Sequence, residues 1–291
     1  MGRRGRSNDG PDGVYVVDKP RGPTSHDVVA QIRRVLQTRA VGHAGTLDPM
    51  ATGVLVIAVG RATKLVPWLT AADKSYSATI QVGTGTDSLD ADGEVVETKP
   101  VPPLNLATVK AAAAKRLGVQ MQRPPAVSAI RVDGERLHEK VRRGEVVEAP
   151  LREVVVRSID VTRVEGAEID VTLTTGKGFY VRSFARDLAI DLETVGHLTA
   201  LRRLASGAFL LDDACSMNDL AEHVPLTLAQ AAARIMTCLE LDADGVTHAK
   251  HGRPIPVAHV TSGDPQGEGP FGLVWASPSD AELLAVVRRE E

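Results

Sequence analysis

An aspartate placed directly before a proline is the residue of this sequence best suited to do chemistry. Asp48 precedes Pro49 inside VGHAGTLDPMATGVLVIAVGRATKL (41–65), where a loop of Gly, His, Ala and Thr runs into an apolar stretch. Aspartate in such a loop is most often a turn residue whose side chain caps the backbone. Because proline lacks an N–H and restricts the residue before it, the same loop could also hold a carboxylate in a fixed direction. The residues alone leave both interpretations open.

Two further side chains could work with a carboxylate. Tyr76 lies in KSYSATIQVG (74–83), whose alternation predicts a strand with Tyr76 on the apolar face. Arg182 lies near the start of YVRSFARDLAIDLE (180–193), which has the spacing of an amphipathic helix. Taken singly, Tyr76 could be a core residue and Arg182 a surface charge. Aromatic residues make up only 3% of the chain, so a tyrosine near the Asp48 loop is informative.

Metal and nucleotide motifs are not evident. TGTDSLDADGE (84–94) is acidic, but an EF-hand register puts Ser88 first and Lys99 twelfth, so an acidic hairpin turn is predicted instead. Cys238, His248 and His251 lack a fourth ligand at zinc-site spacing. No glycine-rich loop leads into Lys-Ser/Thr, and no G-x-S-x-G occurs. We therefore expect neither a metal nor a cofactor.

The elements that would position these residues mix strands and helices without regular βαβ alternation. This pattern predicts an α+β fold around a mainly antiparallel sheet. Ser25 is the predicted N-cap of the first helix, because apolar residues at helical spacing follow it. Strands are predicted at 14–20, 53–60, 74–83, 153–164, 167–176 and around 273–277, and helices at 26–37, 105–117 and 180–193.

Composition and charge suggest three parts. Residues 1–12 are basic with no apolar stretch after them, and predict a disordered arm rather than a signal peptide. The first 211 residues carry 29 Lys and Arg against 24 Asp and Glu, whereas the last 80 carry 5 against 13. We therefore predict a domain over 13–211, which can carry basic patches, and a small acidic module over 212–291. The charged, proline-bracketed segment 120–150 is predicted to be a mobile excursion from the first domain.

The two cysteines make no disulfide framework, and the apolar runs are too short to span a bilayer. We therefore expect a reduced, cytoplasmic protein that is not associated with membranes.

The order and spacing of five segments closely resemble the bacterial tRNA pseudouridine synthase B family (TruB) over about residues 14–210. The segments are DKPRGPTSHDVV (18–29), VGHAGTLDPMATGVLVIAVGRATKL (41–65), KSYSATIQVGTGTDSLDADGE (74–94), RPPAVSAIRVDGERLHEKVRRGE (123–145) and GKGFYVRSFARDLAIDL (176–192). Val127 and His138 stand where that family usually has tyrosine. VTHAKHGRPIP (246–256) is similar to the opening of a PUA-type RNA-binding module, so the resemblance implies a pseudouridine synthase catalytic domain followed by a small PUA-like β-rich domain.

The resemblance implies a role for each residue. Asp48 is implied to be the catalytic carboxylate, with Tyr76 against the target base and Arg182 paired with Asp48. His43, Tyr180 and Leu201 are implied to line the RNA or substrate pocket. Within 120–150, Arg131, Arg142 and Arg143 are expected to contact RNA phosphates.

The implied reaction isomerises uridine 55 in the T arm of tRNA to pseudouridine, by a chain expected to act as a monomer. Two alternatives stay open at this point: a non-catalytic RNA-binding or RNA-folding protein with the same fold, and a glycoside or nucleoside hydrolase. The hydrolase normally needs a second carboxylate, and none is evident in the motif loops.

Overall fold

The structure is a computed structural model that describes residues 11–126, 131–132, 135–136, 143, 149–267, 269–276 and 281–288. Val127, His138 and Arg142 lie outside these residues, as do most of 120–150 and nearly all of the N-terminal arm. No helix in the described ranges combines the length and the apolar character needed to cross a membrane.

Nine of the described strands form one large sheet in which antiparallel pairing predominates, as the α+β prediction requires. Its strands are β1 (Gly13–Lys19), β2 (Val41–His43), β3 (Thr52–Val59), β4 (Lys74–Val82), β7 (Gly118–Gln122), β10 (Arg152–Glu165), β11 (Glu168–Thr175), β12 (Gly196–Ser206) and β13 (Phe209–Leu210). The order across the sheet is β1-β3-β12-β4-β11-β10-β7, with β2 on β3 and β13 on β12. The predicted strands at 14–20, 53–60, 74–83, 153–164 and 167–176 are thereby confirmed to within a residue or two.

One parallel pair, β3 with β12, joins the Asp48 loop to the rest of the sheet. Gly53 lies beside Arg203 in this pair. Its φ is 98°, and a Cβ there would lie 2.2 Å from the Arg203 carbonyl oxygen. Only glycine allows this approach, so Gly53 lets the chain bring β12 against the exit of the Asp48 loop.

Helices cover both faces of the sheet. The described helices are α1 (Ser25–Val35), α2 (Val66–Ala71), α3 (Leu106–Ala114), α4 (Val181–Asp191), α5 (Leu228–Ala233) and α6 (Ala243–Lys250). Side chains such as Tyr15 and Leu55 face α1, α3 and α4, whereas their neighbours Val14 and Val54 face α2 and α5. Successive side chains of these strands therefore pack into two different hydrophobic cores, one on each face of the sheet.

The first helix begins one residue earlier than predicted. Thr24, not Ser25, is the N-cap: its hydroxyl accepts from the Asp27 N–H, and Asp27 accepts in return from the Thr24 N–H. This reciprocal capping box satisfies two backbone donors at once. Ser25 is instead buried and hydrogen-bonds elsewhere in the fold.

The excursion predicted to leave the sheet at Gln120 leaves it later. Gln120 and Gln122 belong to β7, which pairs with β10 at the sheet edge. Within the remainder, β8 (Arg131–Val132) pairs with β9 (Glu135–Arg136) as a short hairpin. The acidic hairpin predicted at 84–94 is confirmed, since β5 (Thr84–Thr86) pairs with β6 (Val95–Thr98).

A second, four-stranded sheet follows in the chain. It has the order β15-β14-β16-β17, formed by β14 (Thr237–Leu241), β15 (Val260–Ser262), β16 (Phe271–Ala276) and β17 (Ala281–Val287). Its core packs with residues of α6. The segment between the sheets stays on the first one, where Cys215 and Leu226 bridge to β1. The domain boundary after Leu211 stays a prediction.

Candidate active site

A cavity of about 710 Å³ opens beside the Asp48 loop. Five of the six residues implied for catalysis or the substrate pocket line it: Asp48, Tyr76, Tyr180, Arg182 and Leu201. The sixth, His43, is half-buried behind His26, whose ring it meets edge-on with the centroids 5.2 Å apart. His26 itself lines the cavity. The fold therefore gathers residues that are far apart in the sequence, such as Asp48 and Leu201.

The loop that carries Asp48 is fixed on both sides of the aspartate. The buried Ser25 hydroxyl accepts from the Leu47 N–H at 2.8 Å and lies 3.0 Å from the Leu47 carbonyl oxygen. The Pro49 carbonyl accepts from the Gly22 N–H and from the Lys19 ammonium. Backbone held immediately before and after one residue leaves that residue's side chain with a defined direction.

Arg182 holds the Asp48 carboxylate with two hydrogen bonds. Its Nε donates to Oδ2 at 2.9 Å and its Nη2 donates to Oδ1 at 3.1 Å. The Arg182 side chain is only 6% exposed, whereas Asp48 remains 31% exposed and faces the cavity. The expected pairing is thus confirmed. A bidentate guanidinium both orients the carboxylate and stabilises it as an anion.

A second carboxylate, which the sequence analysis missed, lies on the same arginine. Asp90 Oδ2 is 3.4 Å from Arg182 Nη1, and the Asp90 side chain is 8% exposed. Its Oδ1 accepts from the Ser88 hydroxyl at 2.6 Å, while the Ser88 carbonyl accepts from Arg182. Asp90 belongs to the acidic hairpin at 84–94, where its composition indicated only a solvated turn. It does not line the cavity.

Tyr76 lies on the side of the cavity formed by β4 and β12. It is 8% exposed, and its partner across the strands is Arg203, whose guanidinium interacts with the Tyr76 hydroxyl. Leu201, two residues before Arg203 on β12, lines the same cavity. Together these residues give one side of the cavity an aromatic ring and an aliphatic side chain, which suits a flat base.

Burial raises the pKa of the Tyr180 hydroxyl and lowers the pKa of the His43 imidazole. Both shifts favour the neutral form of the side chain. The Tyr180 backbone exchanges hydrogen bonds with the Gln122 side-chain amide at 2.9 and 3.1 Å. These bonds join the start of α4, which carries Arg182, to the end of β7.

Of the three arginines expected to contact phosphates, Arg143 is not among the described residues that line the cavity. The Arg131 backbone lies in the β8–β9 hairpin, Arg143 lies in an exposed turn, and Arg142 falls outside the described residues. Among the described residues, no cluster of three or more His, Cys, Asp or Glu side chains could hold a metal ion. Cofactor-free action stays a prediction.

Comparisons with known proteins agree with this geometry. The family model for the TruB family pseudouridylate synthase (N terminal domain) matches residues 33–181. The tRNA pseudouridine synthase B of Thermobifida fusca is 44% identical over 285 residues, covering 94% of each chain. That of Corynebacterium aurimucosum is 49% identical over 235 residues, covering 79% of each.

Two solved structures share the fold. A Cbf5-Nop10-Gar1 complex contains a chain that matches with a TM-score of 0.71 and 22% identity, over 96% of this chain and 84% of that one. An H/ACA RNP bound to a substrate RNA containing 2'-deoxyuridine matches with a TM-score of 0.69 and 23% identity, over 90% and 74%. The family match and the close relatives establish that the chain belongs to the TruB family of pseudouridylate synthases.

Proposed function

We propose that this enzyme isomerises uridine 55 in the T arm of tRNA to pseudouridine, with Asp48 as the catalytic carboxylate. The tRNA substrate is supported by the names of the relatives, which are about 44% identical over nearly the whole chain. The single observation that carries the catalytic role is the bidentate Asp48–Arg182 pair, whose carboxylate remains partly exposed to the cavity.

The reaction breaks the N1–C1′ glycosidic bond, turns the uracil and rejoins it to the sugar through C5. The overall change is an isomerisation, so no electrons or phosphoryl groups are exchanged. An anionic carboxylate next to the sugar can either attack C1′ or take the proton from C2′. In both routes the bonding pair leaves with the base.

The cavity has the size expected for a small-molecule site. It can accept one nucleoside only if the uridine leaves its stack in the RNA. Tyr76 offers the ring against which the base stacks, and base–aromatic stacking contributes about 1–3 kcal/mol. Tyr76 is only 8% exposed and pairs across the strands with Arg203, which also lines the cavity, and this burial supports a stacking role.

Segments outside the cavity would hold the RNA. We extend the proposal to Arg131, Arg142 and Arg143 as phosphate contacts, to the excursion as an RNA-binding element, and to 212–291 as a PUA-like RNA-binding module. RNA loops are recognised by shape and by splayed bases, so contacts spread over several segments suit a T arm. Action as a monomer stays a prediction.

The hydrolase alternative is weakened by the placement of the second carboxylate. Asp90 is buried on Arg182 and does not line the cavity, so it does not reach a leaving group or a water as a glycosidase acid or base must. A purely RNA-binding role is opposed by the complete Asp48, Tyr76 and Arg182 arrangement and by membership of an enzyme family.

The experiment that tests the proposal measures tritium released from C5-labelled uridine in a T-arm stem-loop. Isomerisation releases the C5 hydrogen without releasing free uracil. The matched control RNA has cytidine in place of the target uridine and should release none. Release of free uracil would indicate a hydrolase, and no release from either RNA with tight binding would indicate an RNA-binding protein.

A further inference from the structure

Two buried cations share the Tyr76 side of the cavity, and neither has a role in the function proposed above. Lys74 is 6% exposed and Arg203 is 1% exposed, yet both line the cavity. Lys74 lies two residues before Tyr76 on the same face of β4, and Arg203 is the cross-strand partner of Tyr76 on β12. We call Lys74 and Arg203 the cationic floor.

The two side chains converge on one point. A Cβ built on Gly45 would lie 3.7 Å from Lys74 Cε and 3.7 Å from Arg203 Nη1. Gly45 belongs to the loop that leads to Asp48, so the floor lies directly beneath that loop. The Asp48 loop therefore passes close to both side chains, while the Tyr76 hydroxyl interacts with Arg203.

The floor is held by neutral oxygens. Lys74 Nζ donates to the carbonyls of Thr70 and Ala72, each at 2.6 Å. Arg203 donates to the carbonyls of Val54, Thr46 and Gly45 at 2.6, 3.4 and 3.2 Å.

Within the described part of the chain, no carboxylate forms an ion pair with either cation. Asp73, whose charge acts on Lys74, pairs with Arg157 instead.

Such an arrangement costs free energy in the unliganded protein. Burial, followed by the charge of Arg203, lowers the pKa of Lys74 to about 8 from an ordinary 10.5, and burial also lowers the pKa of Arg203. Carbonyl dipoles offset only part of the cost of removing a cation from water. Two uncompensated positive charges beside a cavity therefore favour a negative charge inside it.

We propose that the cationic floor stabilises the negative charge that develops on the uracil base when the N1–C1′ bond breaks. This inference rests on the proposed function, because it assigns the floor a part in that reaction. The uridine is neutral and Asp48 is an anion. After the bonding pair leaves with N1, the negative charge lies on the base and Asp48 has become neutral as an ester or an acid.

The charges of the cavity lining fit this transfer. Arg182 is already paired with two carboxylates, so Asp48 and Asp90 largely compensate its positive charge. The floor is not paired in this way, and it lies beside the Tyr76 ring on which the base is expected to stack. When the base is a uracil anion, its negatively charged O2 and O4 complete the surroundings of Lys74 and Arg203. When C5 attacks C1′, the base becomes neutral and Asp48 regains its charge, either as the leaving group of the ester or by returning its proton to C2′. C5 then loses its proton and N1 takes one up, so the base stays neutral.

The test compares uridine with 5-fluorouridine at the target position of a T-arm stem-loop under single-turnover conditions. Fluorine withdraws electrons and makes the uracil anion intrinsically more stable, so a group that stabilises this anion matters less. The assay follows loss of the target nucleoside by chromatography after digestion. It is run at pH 6.5, where Lys74 is protonated because its pKa is about 8.

The variant is Lys74→Met, which keeps most of the unbranched side chain and removes the charged amino group. Arg203 is left intact because its three carbonyl contacts also brace the Asp48 loop. We expect Lys74→Met to lower the rate with uridine by about 10²-fold, the usual effect of one lost anion-stabilising donor. With 5-fluorouridine the loss of rate should be at least about fivefold smaller than the loss with uridine. RNA affinity should be unchanged, and Lys74→Arg should recover most of the rate.

Controls separate this inference from the function on which it rests. Lys110→Met removes an exposed lysine on α3, 49% exposed and paired with Asp160, and should behave as wild type. Thermal melting verifies that each variant is folded, and Lys74→Gln provides a second neutral side chain. The inference would be overturned, with the wild-type enzyme still forming pseudouridine, by any of three results for Lys74→Met. These are equal losses of rate with uridine and 5-fluorouridine, an unchanged rate, or a loss of RNA affinity alone. Failure of the wild-type enzyme to form pseudouridine would overturn the proposed function itself.

Discussion

Two buried arginines line the same cavity, and the charges around them differ. Arg182 lies between two carboxylates, Asp48 and Asp90. Arg203 lies against three carbonyls and beside Lys74, with no carboxylate partner among the described residues. Both arginines are buried, so burial alone does not explain why one has carboxylate partners and the other does not.

The difference indicates two separate tasks. A guanidinium between two carboxylates fixes their direction and makes their burial tolerable. A pair of cations without anions destabilises the resting protein, and this is acceptable where a substrate supplies the missing charge. Arg182 should therefore contribute to both stability and rate, whereas the cationic floor should contribute to rate at a cost in stability.

Among the variants that compare the surroundings of the two arginines, the largest effect is expected from Arg182→Met. Asp90 is only 8% exposed, and removing its counter-charge leaves a buried anion, which typically costs about 3–5 kcal/mol of stability. Asp48 also loses its orientation, so the single-turnover rate should fall by about 10²–10³-fold. Thermal melting and a pseudouridine assay measure the two effects.

The matched control for this variant is Arg163→Met. Arg163 contacts three carboxylates, of Glu165, Glu168 and Asp170, but its side chain is 39% exposed. Because water screens exposed ion pairs, they contribute little to stability, so the rate and the melting temperature should change little. A fall in stability as large as that of Arg182→Met would contradict the importance given to burial.

A smaller effect is expected from Asp90→Asn. The amide keeps the shape and can still accept from the Ser88 hydroxyl, while Arg182 keeps its two bonds to Asp48. We expect the rate to fall by about 10-fold, roughly the effect of one weakened charge-assisted contact. A variant as slow as Arg182→Met would mean that Arg182 acts through Asp90 rather than through Asp48.

Removing a charge of the cationic floor should raise stability, whereas Arg182→Met should lower it. Because the pKa of Lys74 is about 8 when folded and 10.5 ordinarily, the unfolded chain binds more protons between these pH values. The contribution of Lys74 to the free energy of unfolding therefore rises as the pH rises from about 8 to 10.5, and below pH 8 this contribution is unfavourable. Lys74→Met should be more stable than wild type at pH 7, and this advantage should shrink from pH 8 to 10.5 in urea titrations.

Lys19 sharpens this comparison. Burial also lowers its pKa to about 8, but the charge of Asp48 acts to raise it, and three carbonyls accept from its ammonium. Part of the pH dependence should therefore persist in Lys74→Met. A variant less stable than wild type at pH 7 would contradict the idea that the floor is destabilising.

The smallest effect on the rate is expected from variants of the excursion. Replacing Arg142 and Arg143 by glutamine should weaken RNA binding and lower the slope of log affinity against log salt by about one for each lost phosphate contact. The rate of bound RNA should stay the same. An unchanged slope measured by filter binding from low to moderate salt would remove the excursion from the phosphate contacts.

Local patterns predicted five of the nine strands of the large sheet, and alternation and apolar runs placed those at 53–60 and 74–83 almost to the residue. The central strand β12 was not predicted. Local patterns were not enough to predict the N-cap of α1. Thr24 and Ser25 can both cap a helix, and the contact of Ser25 with Leu47, 22 residues away, decides between them. Edge pairing with β10 likewise decides that Gln122 stays in the sheet.

Charged residues of the site were harder to predict. Asp48 and Arg182 could be paired only through resemblance, since 134 residues separate them. Asp90 was missed because an acidic hairpin usually faces solvent. Lys74 and Arg203 were missed because a lone lysine or arginine in a strand gives no local sign of burial, and only the packing of β4 against β12 removes them from water.

The central claim is that Asp48 acts as a charged catalyst rather than as a turn residue. Asp48→Asn keeps the shape and the capping oxygen but removes the charge, so a turn residue would tolerate it. RNA binding depends on many dispersed contacts and should change by no more than about a few-fold. The most direct measurement is the pseudouridine yield of folded Asp48→Asn on a T-arm stem-loop under single-turnover conditions. We predict a yield at background, and a yield near that of wild type would contradict the mechanism.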